Sequence, residues 1–587
     1  MHHLSALDAL FLHLETPDMP MHVGSLSVLE KPKGHRGSFY KNIREHIESR
    51  MHLAPLFSRR LAFMPFDLAN PIWLNGTHVD VDEHIEHVML PKPGTRAQLD
   101  AMVAKLHEGM FDRDKPLWKF YVIEGLKDGH VAFYSRIHHA ALDGQGGVAL
   151  AQAILDTEAT PRTVEPAGAK ARGNLAPTTA KMLGAAFRNT VAQYGKIMKA
   201  VPEVARLAGM AGAAALSSSQ AKKAGAPSEQ GTGIPELADF KPGDSPEKAA
   251  KSLLKKIPGG VTLGPRTPLS VAISGKRAFA GVRLPLAESK ALAQHFDAKL
   301  NDIVLAVCAG ALRHYFARDK TALAKSMVGA VPASLRVPGD TSQSNQVTMM
   351  LINMATHIAD PRKRLAAIVA ASTRAKMLTG SMKSIIPTDM PSLGIPWLMS
   401  VITPLYKMAV AKSRIPVVAN VVVSNVPGPQ IPLYIAGALM KSYYPVSIVT
   451  HGLALNITIQ SYAGSLDYGL IACKKAVPDL PKFTGYMRAA HAELMALMQA
   501  DLVGQAEPPA KKKVAPTKKT AAKIGGKSSV NLVAKKTSKA VEKKAPKAVA
   551  KKVPQVVAKK PARKPATTKT TTGKLTGAKS IAKKKRA

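Results

Sequence analysis

The chain has 587 residues, 46% of them hydrophobic, and a formal net charge of +42 at pH 7. This length exceeds what one hydrophobic core usually organises, and the apolar content excludes a chain that is disordered throughout. We therefore expect two or more folded units, and the high charge directs attention to where the basic residues lie.

The basic residues are unevenly distributed. Of the 82 Lys and Arg residues, 26 lie between Lys511 and Ala587, where Glu542 is the single acid. The rest of the chain has 56 basic and 39 acidic residues, a net charge of about +17. Such a moderate excess suits an anionic ligand or a membrane surface and does not require a nucleic acid partner.

Several features bear on the compartment. Cys308 and Cys473 are the only cysteines, and each lies in an apolar run where burial is expected to raise a thiol pKa. Without a disulfide framework, a reducing cytosol is consistent with the sequence. The N-terminus lacks the pattern of a signal peptide. The two longest uncharged stretches, 390–406 and 415–440, contain several prolines, which are poorly suited to spanning a bilayer.

The first predicted domain covers residues 1–158 and mixes short strands with helices. Val131–His138 is typical of a strand, and Gly147–Leu155 is typical of the helix that follows it. The segment between them reads HHAALDGQGG, from His138 onward. Loops between a strand and a helix commonly hold functional residues.

Residues 159–265 are rich in Ala, Lys, Gly, Pro and Ser. Within them, 178–217 has apolar residues at helical spacing with basic residues between them. This pattern favours a crossover of surface helices that joins two domains. The alternative is a basic amphipathic surface that binds anionic lipid.

The second predicted domain covers residues 266–503. Leu286–Phe316 is predicted to be helical, and β-rich runs follow at 416–423, 447–460 and 466–473. Residues 504–587 repeat Lys, Ala, Pro and Thr without apolar periodicity, so this basic tail is predicted to be disordered.

His138 and His139 are the candidate functional residues of the strand-to-helix loop. A histidine there can take a proton from an alcohol near neutral pH, which acyl transfer to a hydroxyl requires. Asp143 can fix the loop or the imidazole, and the glycines allow close approach of a ligand. A structural histidine pair is the alternative. A metal site is less favoured, because neither an HExxH motif nor a second His/Cys cluster is present.

The loop HHAALDG resembles the HHxxxDG motif of the bacterial wax ester synthase/diacylglycerol acyltransferase family. This family is related to CoA-dependent acyltransferases and to condensation domains of peptide synthetases. Other similar segments occur in the family's order: LSALDALFLHLETPDMPMHVGSL at 4–26, PLW at 116–118, NDIVLA at 301–306, VPASLR at 331–336 with Asn345 and Gln346, and SNVPGP at 424–429. The resemblance covers residues 4–502, and the tail lies outside it.

The resemblance implies an α/β (α+β) fold of two chloramphenicol-acetyltransferase-like domains. Each would be a mixed sheet flanked by helices, with a tunnel between the domains. His139 would be the general base in that tunnel, and His138 would support it. Asp143 would order the loop through an ion pair with an unidentified arginine, and Gly144 would give backbone room.

The other family segments imply supporting roles. Pro116, Leu117 and Trp118 would line an acyl channel, although a core position is the more common role for Trp118. Asn301 and Asp302 open a predicted helix, where both residue types act as caps. Direct catalysis by these two residues is the alternative.

The leading hypothesis is transfer of a long-chain acyl group from acyl-CoA to diacylglycerol, which gives triacylglycerol, or to a fatty alcohol, which gives wax ester. No cofactor and no metal are expected, and residues 138–144 include no Ser or Cys that could form an acyl-enzyme. We expect a cytoplasmic enzyme at the inner face of the membrane or on lipid inclusions. Two alternatives are acylation of another hydroxyl, and a non-catalytic protein whose tail binds lipid surfaces or, non-specifically, nucleic acid.

Overall fold

The computed structural model describes residues 2–64, 70–76, 79–142, 144–166, 263–334, 347–382, 396–413 and 416–506. We refer to 2–166 as the first half and to 263–506 as the second half. The predicted crossover helices at 178–217, the tail beyond Ala506, Asp143, and the family segment around Arg336, Asn345 and Gln346 lie outside the described residues.

The described ranges contain α-helices, short 3-10 turns and strands. The helices are α1 (Ala6–Leu14), α2 (Tyr40–Glu48), α3 (Val81–His84), α4 (Arg96–Leu106), α5 (Gly144–Ile154), α6 (Leu286–His295), α7 (Leu300–Tyr315), α8 (Lys320–Leu323), α9 (Pro361–Met382), α10 (Pro396–Ala411) and α11 (Leu480–Ala506). The 3-10 turns are Met51–Leu53, Pro55–Phe57 and His139–Ala141. Among the described helices, none is both long and apolar enough to cross a bilayer.

The strands are β1 (His2–His3), β2 (His22–Glu30), β3 (Arg60–Ala62), β4 (Ile72–Leu74), β5 (Ile85–Met89), β6 (Trp118–Glu124), β7 (Val131–His138), β8 (Arg277–Pro285), β9 (Val328–Ser334), β10 (Val347–Asn353), β11 (Val421–Val426), β12 (Tyr434–Ile435), β13 (Ala438–Val446), β14 (Leu455–Tyr462) and β15 (Ser465–Cys473). A small sheet has the order β1-β4-β3.

Two six-stranded sheets organise the two halves. The first has the order β12-β13-β2-β7-β6-β5 and is antiparallel except for the parallel pair β5 and β6. Its strands β12 and β13 come from the second half of the chain. The second sheet has the order β10-β9-β11-β14-β15-β8, with β11 parallel to both β9 and β14. The predicted fold of two mixed sheets flanked by helices is therefore confirmed.

Successive side chains along the strands of the first sheet point to opposite faces of the sheet. Phe120 and Val122 face a core that includes α1, α2 and α5, whereas Tyr121 and Ile123 face a second core. The second core also contains Ile471 of β15, so it lies between the two sheets. The other face of the second sheet packs against α6, α7, α9 and α11. The central core thus joins the two halves.

Several sequence predictions can be compared with these bounds. The strand Val131–His138 is confirmed, and the helix after it starts at Gly144 rather than Gly147. The predicted helical stretch 286–316 is two helices. Between them Asp297 takes a φ of 47°, which interrupts the right-handed helix. The strand predicted at 416–423 starts only at Val421, where the chain joins the second sheet.

Candidate active site

His139 lies where the central strand β7 ends. The chain leaves β7 at His138, makes the 3-10 turn His139–Ala141, and enters α5 at Gly144. The backbone N–H of His139 donates to the carbonyl of Met21 at 2.8 Å. The Phe11 ring of α1 stacks on the imidazole, with ring centroids 3.8 Å apart and planes 18° apart. These contacts fix the imidazole against α1.

The imidazole of His139 is half-buried. Its Nδ1 is fully enclosed and makes no hydrogen bond within the described part of the chain. A substrate can therefore reach the ring only through Nε2. Burial lowers the pKa of His139 to about 4, because the charged form loses hydration there. The ring is neutral at pH 7 and can accept a proton.

His138 is fully buried and supports the turn that carries His139. Its Nδ1 accepts the backbone N–H of Ala140 at 3.1 Å, so in the neutral ring the proton lies on Nε2. That Nε2 is 3.4 Å from Oε1 of Glu15, a distance typical of an electrostatic contact rather than of a hydrogen bond. His138 thus links Glu15 to the turn His139–Ala141.

The Glu15 carboxylate completes this link. It accepts the Met21 backbone N–H at 3.0 Å through Oε1 and the Arg113 guanidinium at 3.0 Å through Oε2. Burial raises the pKa of Glu15, but His138, the Met21 amide and Arg113 together outweigh this effect, so the pKa lies below its ordinary value. Sequence reasoning missed Glu15, although an acid directly after the apolar helix α1 was an available signal.

Arg59 also contacts this loop. Its guanidinium donates to the carbonyl of Ala141 and lies 4.6 Å from the centre of the Trp73 ring. Sequence reasoning did not identify Arg59 either. The ion pair predicted for Asp143 lies outside the described residues, so the role of that aspartate stays a prediction.

The backbone of the segment Pro116–Trp118 contacts the end of β7, directly before the turn His139–Ala141. The carbonyl of Leu117 accepts the N–H of His138 at 2.9 Å. The Trp118 side chain is buried in the core, where its indole N–H donates to the carbonyl of Phe57 at 3.1 Å. Pro116 is buried as well. This segment therefore positions the end of β7, and the predicted acyl channel along it stays a prediction.

Asn301 and Asp302 lie at the start of α7 in the second half. The buried Asp302 accepts the backbone N–H of Lys299 at 3.1 Å, as a residue of the first helical turn commonly does. The Asn425 amide donates to the side-chain oxygen of Asn301 at 3.4 Å. Within the described residues, no hydrogen bond joins these side chains to His138 or His139.

Both cysteines are buried and unpaired. Burial raises the pKa of the Cys308 thiol, as expected from its apolar run. For Cys473 the expectation is wrong. Burial raises its pKa too, but hydrogen bonds with the backbone and hydroxyl of Ser274 and with the backbone of Ala476 and Lys475 outweigh it, and the pKa is lowered. Across the described ranges, no three His, Cys, Asp or Glu side chains are close enough together to hold a metal ion.

Two domain models of one protein family together match both halves of the chain. The model of the wax ester synthase/diacylglycerol acyltransferase catalytic domain matches residues 4–304, and that of the C-terminal domain matches residues 343–495.

Two relatives from Mycobacterium tuberculosis are named diacylglycerol O-acyltransferases. One is 34% identical over 502 residues, which are 84% of this chain and 99% of the relative. The other, tgs2, is 30% identical over 499 residues, 83% of this chain and 97% of the relative. The solved structure of the wax ester synthase/diacylglycerol acyltransferase from Marinobacter aquaeolei VT8 is 25% identical, with a TM-score of 0.56, and the match covers 85% of this chain and 100% of that chain.

Proposed function

This chain belongs to the wax ester synthase/diacylglycerol acyltransferase family, and we propose that it transfers a long-chain acyl group from acyl-CoA to diacylglycerol, which gives triacylglycerol. With a fatty alcohol as acceptor, the same reaction gives a wax ester. The observation that carries the proposal is the neutral, half-buried His139, which is fixed by Phe11 and Met21 and is open to substrate only at Nε2.

In the proposed reaction, Nε2 of His139 takes the proton from the acceptor hydroxyl as its oxygen attacks the thioester carbonyl. The carbon–sulfur bond then breaks and the CoA thiolate leaves. Because the pKa of His139 is lowered to about 4, the imidazolium is about as acidic as a carboxylic acid and readily gives its proton to the departing sulfur. One residue thus serves as base and then as acid.

His138, Glu15 and Arg113 support this step without contacting the reacting atoms. The chain of contacts from Arg113 through Glu15 to His138 ends on the N–H of Ala140, inside the turn that carries His139. Proton transfer requires the base to be placed within a few tenths of an ångström, so this support is expected to affect the rate.

We also propose that the enzyme works at the inner face of the membrane or on lipid inclusions. One observation supports this location: the chain has a large basic excess that anionic lipid headgroups attract. The proposed acceptors and products, which are apolar lipids, fit the same location. Sedimentation with anionic vesicles tests it. Binding that weakens as salt is raised supports the proposal, and absence of binding at low salt contradicts it.

Product analysis tests the proposed activity. The purified full chain is incubated with radiolabelled palmitoyl-CoA and either dioleoylglycerol or hexadecanol, and the lipids are separated by thin-layer chromatography. We expect labelled triacylglycerol or wax ester and an equal amount of free CoA. CoA release only with another hydroxyl compound would show that the acceptor is neither diacylglycerol nor a fatty alcohol. No release with any acceptor would favour a non-catalytic protein.

A further inference from the structure

A cavity of about 600 Å³ lies in the second half, between α10 and the β9–β10 side of the second sheet. Its walls are mainly apolar and include Ala330, Leu351, Val410, Val417 and Leu453. Cavities that bind small ligands usually have volumes of roughly 300–1,000 Å³. This cavity is therefore large enough for a small molecule or for much of a long alkyl chain.

The polar side chains among the described lining residues already have protein partners. The Tyr406 hydroxyl donates to the carbonyl of His451 at 2.9 Å, and Ser270 is 3.4 Å from the side-chain amide of Asn420. Arg266, which also lines the cavity, donates to a backbone carbonyl of the loop after α10. Since these groups are engaged, the walls favour a hydrocarbon over a polar ligand.

The mouth of the cavity is apolar and faces solvent. Three lining side chains are exposed: Met349 by 48%, Tyr406 by 41% and Val418 by 40%. Clustered apolar surface of this kind is unfavourable in water and marks contact with lipid or another apolar partner.

Two helices that pack on each other, α10 and α1, connect the cavity with the turn that carries His139. Tyr406 and Val410 of α10 line the cavity, and α10 packs against α1. Lys407, also on α10, forms an ion pair with Asp18, three residues after Glu15. Phe11 of α1 stacks on His139. An occupant of the cavity therefore touches α10, which packs on α1, the helix whose Phe11 stacks on His139.

We propose that this cavity binds one long hydrocarbon chain of a substrate lipid, which enters through the apolar mouth. The identity of the lipid as a substrate rests on the proposed function. The acyl chain of the donor and a chain of the acceptor share the chemistry that the walls select. An apolar site open to the surface would let such a chain enter directly from a lipid phase.

Photo-crosslinking tests the site independently of turnover. The purified full chain is irradiated with palmitoyl-CoA or with hexadecanol, each carrying a diazirine at the chain terminus, and labelled peptides are identified by mass spectrometry. We expect labels in the strand Val347–Asn353, in α10 or in residues 416–419. Labelling by the CoA ester assigns the donor chain to the cavity, and labelling by the alcohol assigns the acceptor chain.

Two substitutions fill the cavity from different walls, Leu351→Trp on β10 and Val417→Trp on the loop before β11. Each buried methylene of the bound chain raises its affinity about fourfold. An indole that displaces two of these methylenes should therefore reduce labelling by about tenfold or more. The matched control is Val503→Trp, which adds the same ring at a residue of α11 that is 66% exposed and outside the cavity lining. Melting curves verify that each variant folds.

The outcomes separate this inference from the proposed function. Labelling of the lining that both filling variants abolish supports the site, even if the wild-type chain shows no turnover. Turnover without labelling of the lining overturns the site and leaves the acyltransferase proposal standing. Labelling that survives both substitutions in folded protein also overturns it.

Discussion

At the scale of single residues, the catalytic proposal depends on how His139 is held. Phe11 covers one face of the ring, Met21 binds the backbone, and the buried His138 supports the turn. Together these contacts exclude water from Nδ1 and disfavour the charged ring. His139 is thus kept in the form that a general base needs.

The lowered pKa of His139 leads to a testable pH profile. A base must be unprotonated, so kcat/KM should fall only as pH drops toward about 4, well below the ordinary histidine value of 6.5. Phe11→Ala should admit water to the ring and move this acid limb toward 6.5. Rates measured from pH 4.5 to 8, with stability followed in parallel, provide the test. A wild-type limb between pH 6 and 7 would contradict the assigned environment.

Glu15→Gln tests the support of the turn. The substitution retains the shape but removes the charge that faces Arg113 and His138, so we expect a stability loss of about 1–3 kcal/mol and a lower kcat with little change in KM. Urea denaturation and steady-state kinetics measure both effects. The control is Glu30→Gln, which breaks an exposed ion pair with Lys441 and should alter neither. A fully active Glu15→Gln variant would remove Glu15 from the positioning chain.

The sequence located only part of this site. His138 and His139 could be placed because an apolar strand and a helical pattern flank them directly. Phe11 and Arg59 could not be assigned, because they meet the loop only after β2 pairs with β7 and α1 packs on the turn. The position of Glu15 directly after an apolar helix was a signal, but the sequence does not show that this acid faces His138. Contacts between segments far apart in sequence leave no local periodic pattern.

At the scale of secondary-structure elements, β13 determines how the halves are joined. The sequence of residues 438–446 is compatible with a strand in either sheet. In the structure this strand pairs with β2 of the first half. Near this strand, His107 at the end of α4 lies 3.0 Å from the carbonyl of Ser447 through Nε2, and 2.6 Å from the Tyr134 hydroxyl through Nδ1. A neutral His107 therefore connects the two halves.

This buried histidine should make the protein sensitive to acid. Burial lowers the pKa of His107 to about 3, whereas the unfolded chain takes up the proton near 6.5. The free energy of unfolding should therefore be largest above pH 6.5 and fall as pH drops toward 3. Each buried neutral histidine contributes up to about 1.4 kcal/mol per pH unit in this window.

His107→Gln tests this contribution, because glutamine can form hydrogen bonds but does not titrate. We expect a shallower decline of the unfolding free energy between pH 6.5 and 4.5 than in the wild type. The exposed His52→Gln variant is the control and should follow the wild-type decline. Parallel curves for the wild type and the His107 variant would show that other groups cause the acid sensitivity.

At the scale of the whole molecule, the two halves pack around the central core. The family resemblance implied two domains with a tunnel between them, and that tunnel stays a prediction. The cavity behind α10 was not predictable, since its lining comes from separate segments of the second half. The structure also brings no cysteine into contact with His139 among the described hydrogen bonds. Cys308 lies in the core of the second half, and Cys473 lies between the sheets.

These positions support direct transfer without an acyl-enzyme. A Cys308→Ala, Cys473→Ala double variant should retain turnover, apart from a modest loss of stability from packing. Labelled acyl-CoA without acceptor should leave no acyl group on the denatured wild-type chain. Stoichiometric label on the protein, together with ping-pong kinetics, would require a covalent intermediate and another nucleophile.

The central claim is that His139 is the general base of acyl transfer, and the turnover of His139→Ala tests it most directly. Loss of the base should lower kcat by about 10²–10⁴-fold. Circular dichroism and the melting temperature should remain close to those of the wild type, since the half-buried ring contributes little to the core. A folded His139→Ala variant that retains most of the wild-type turnover would contradict the account.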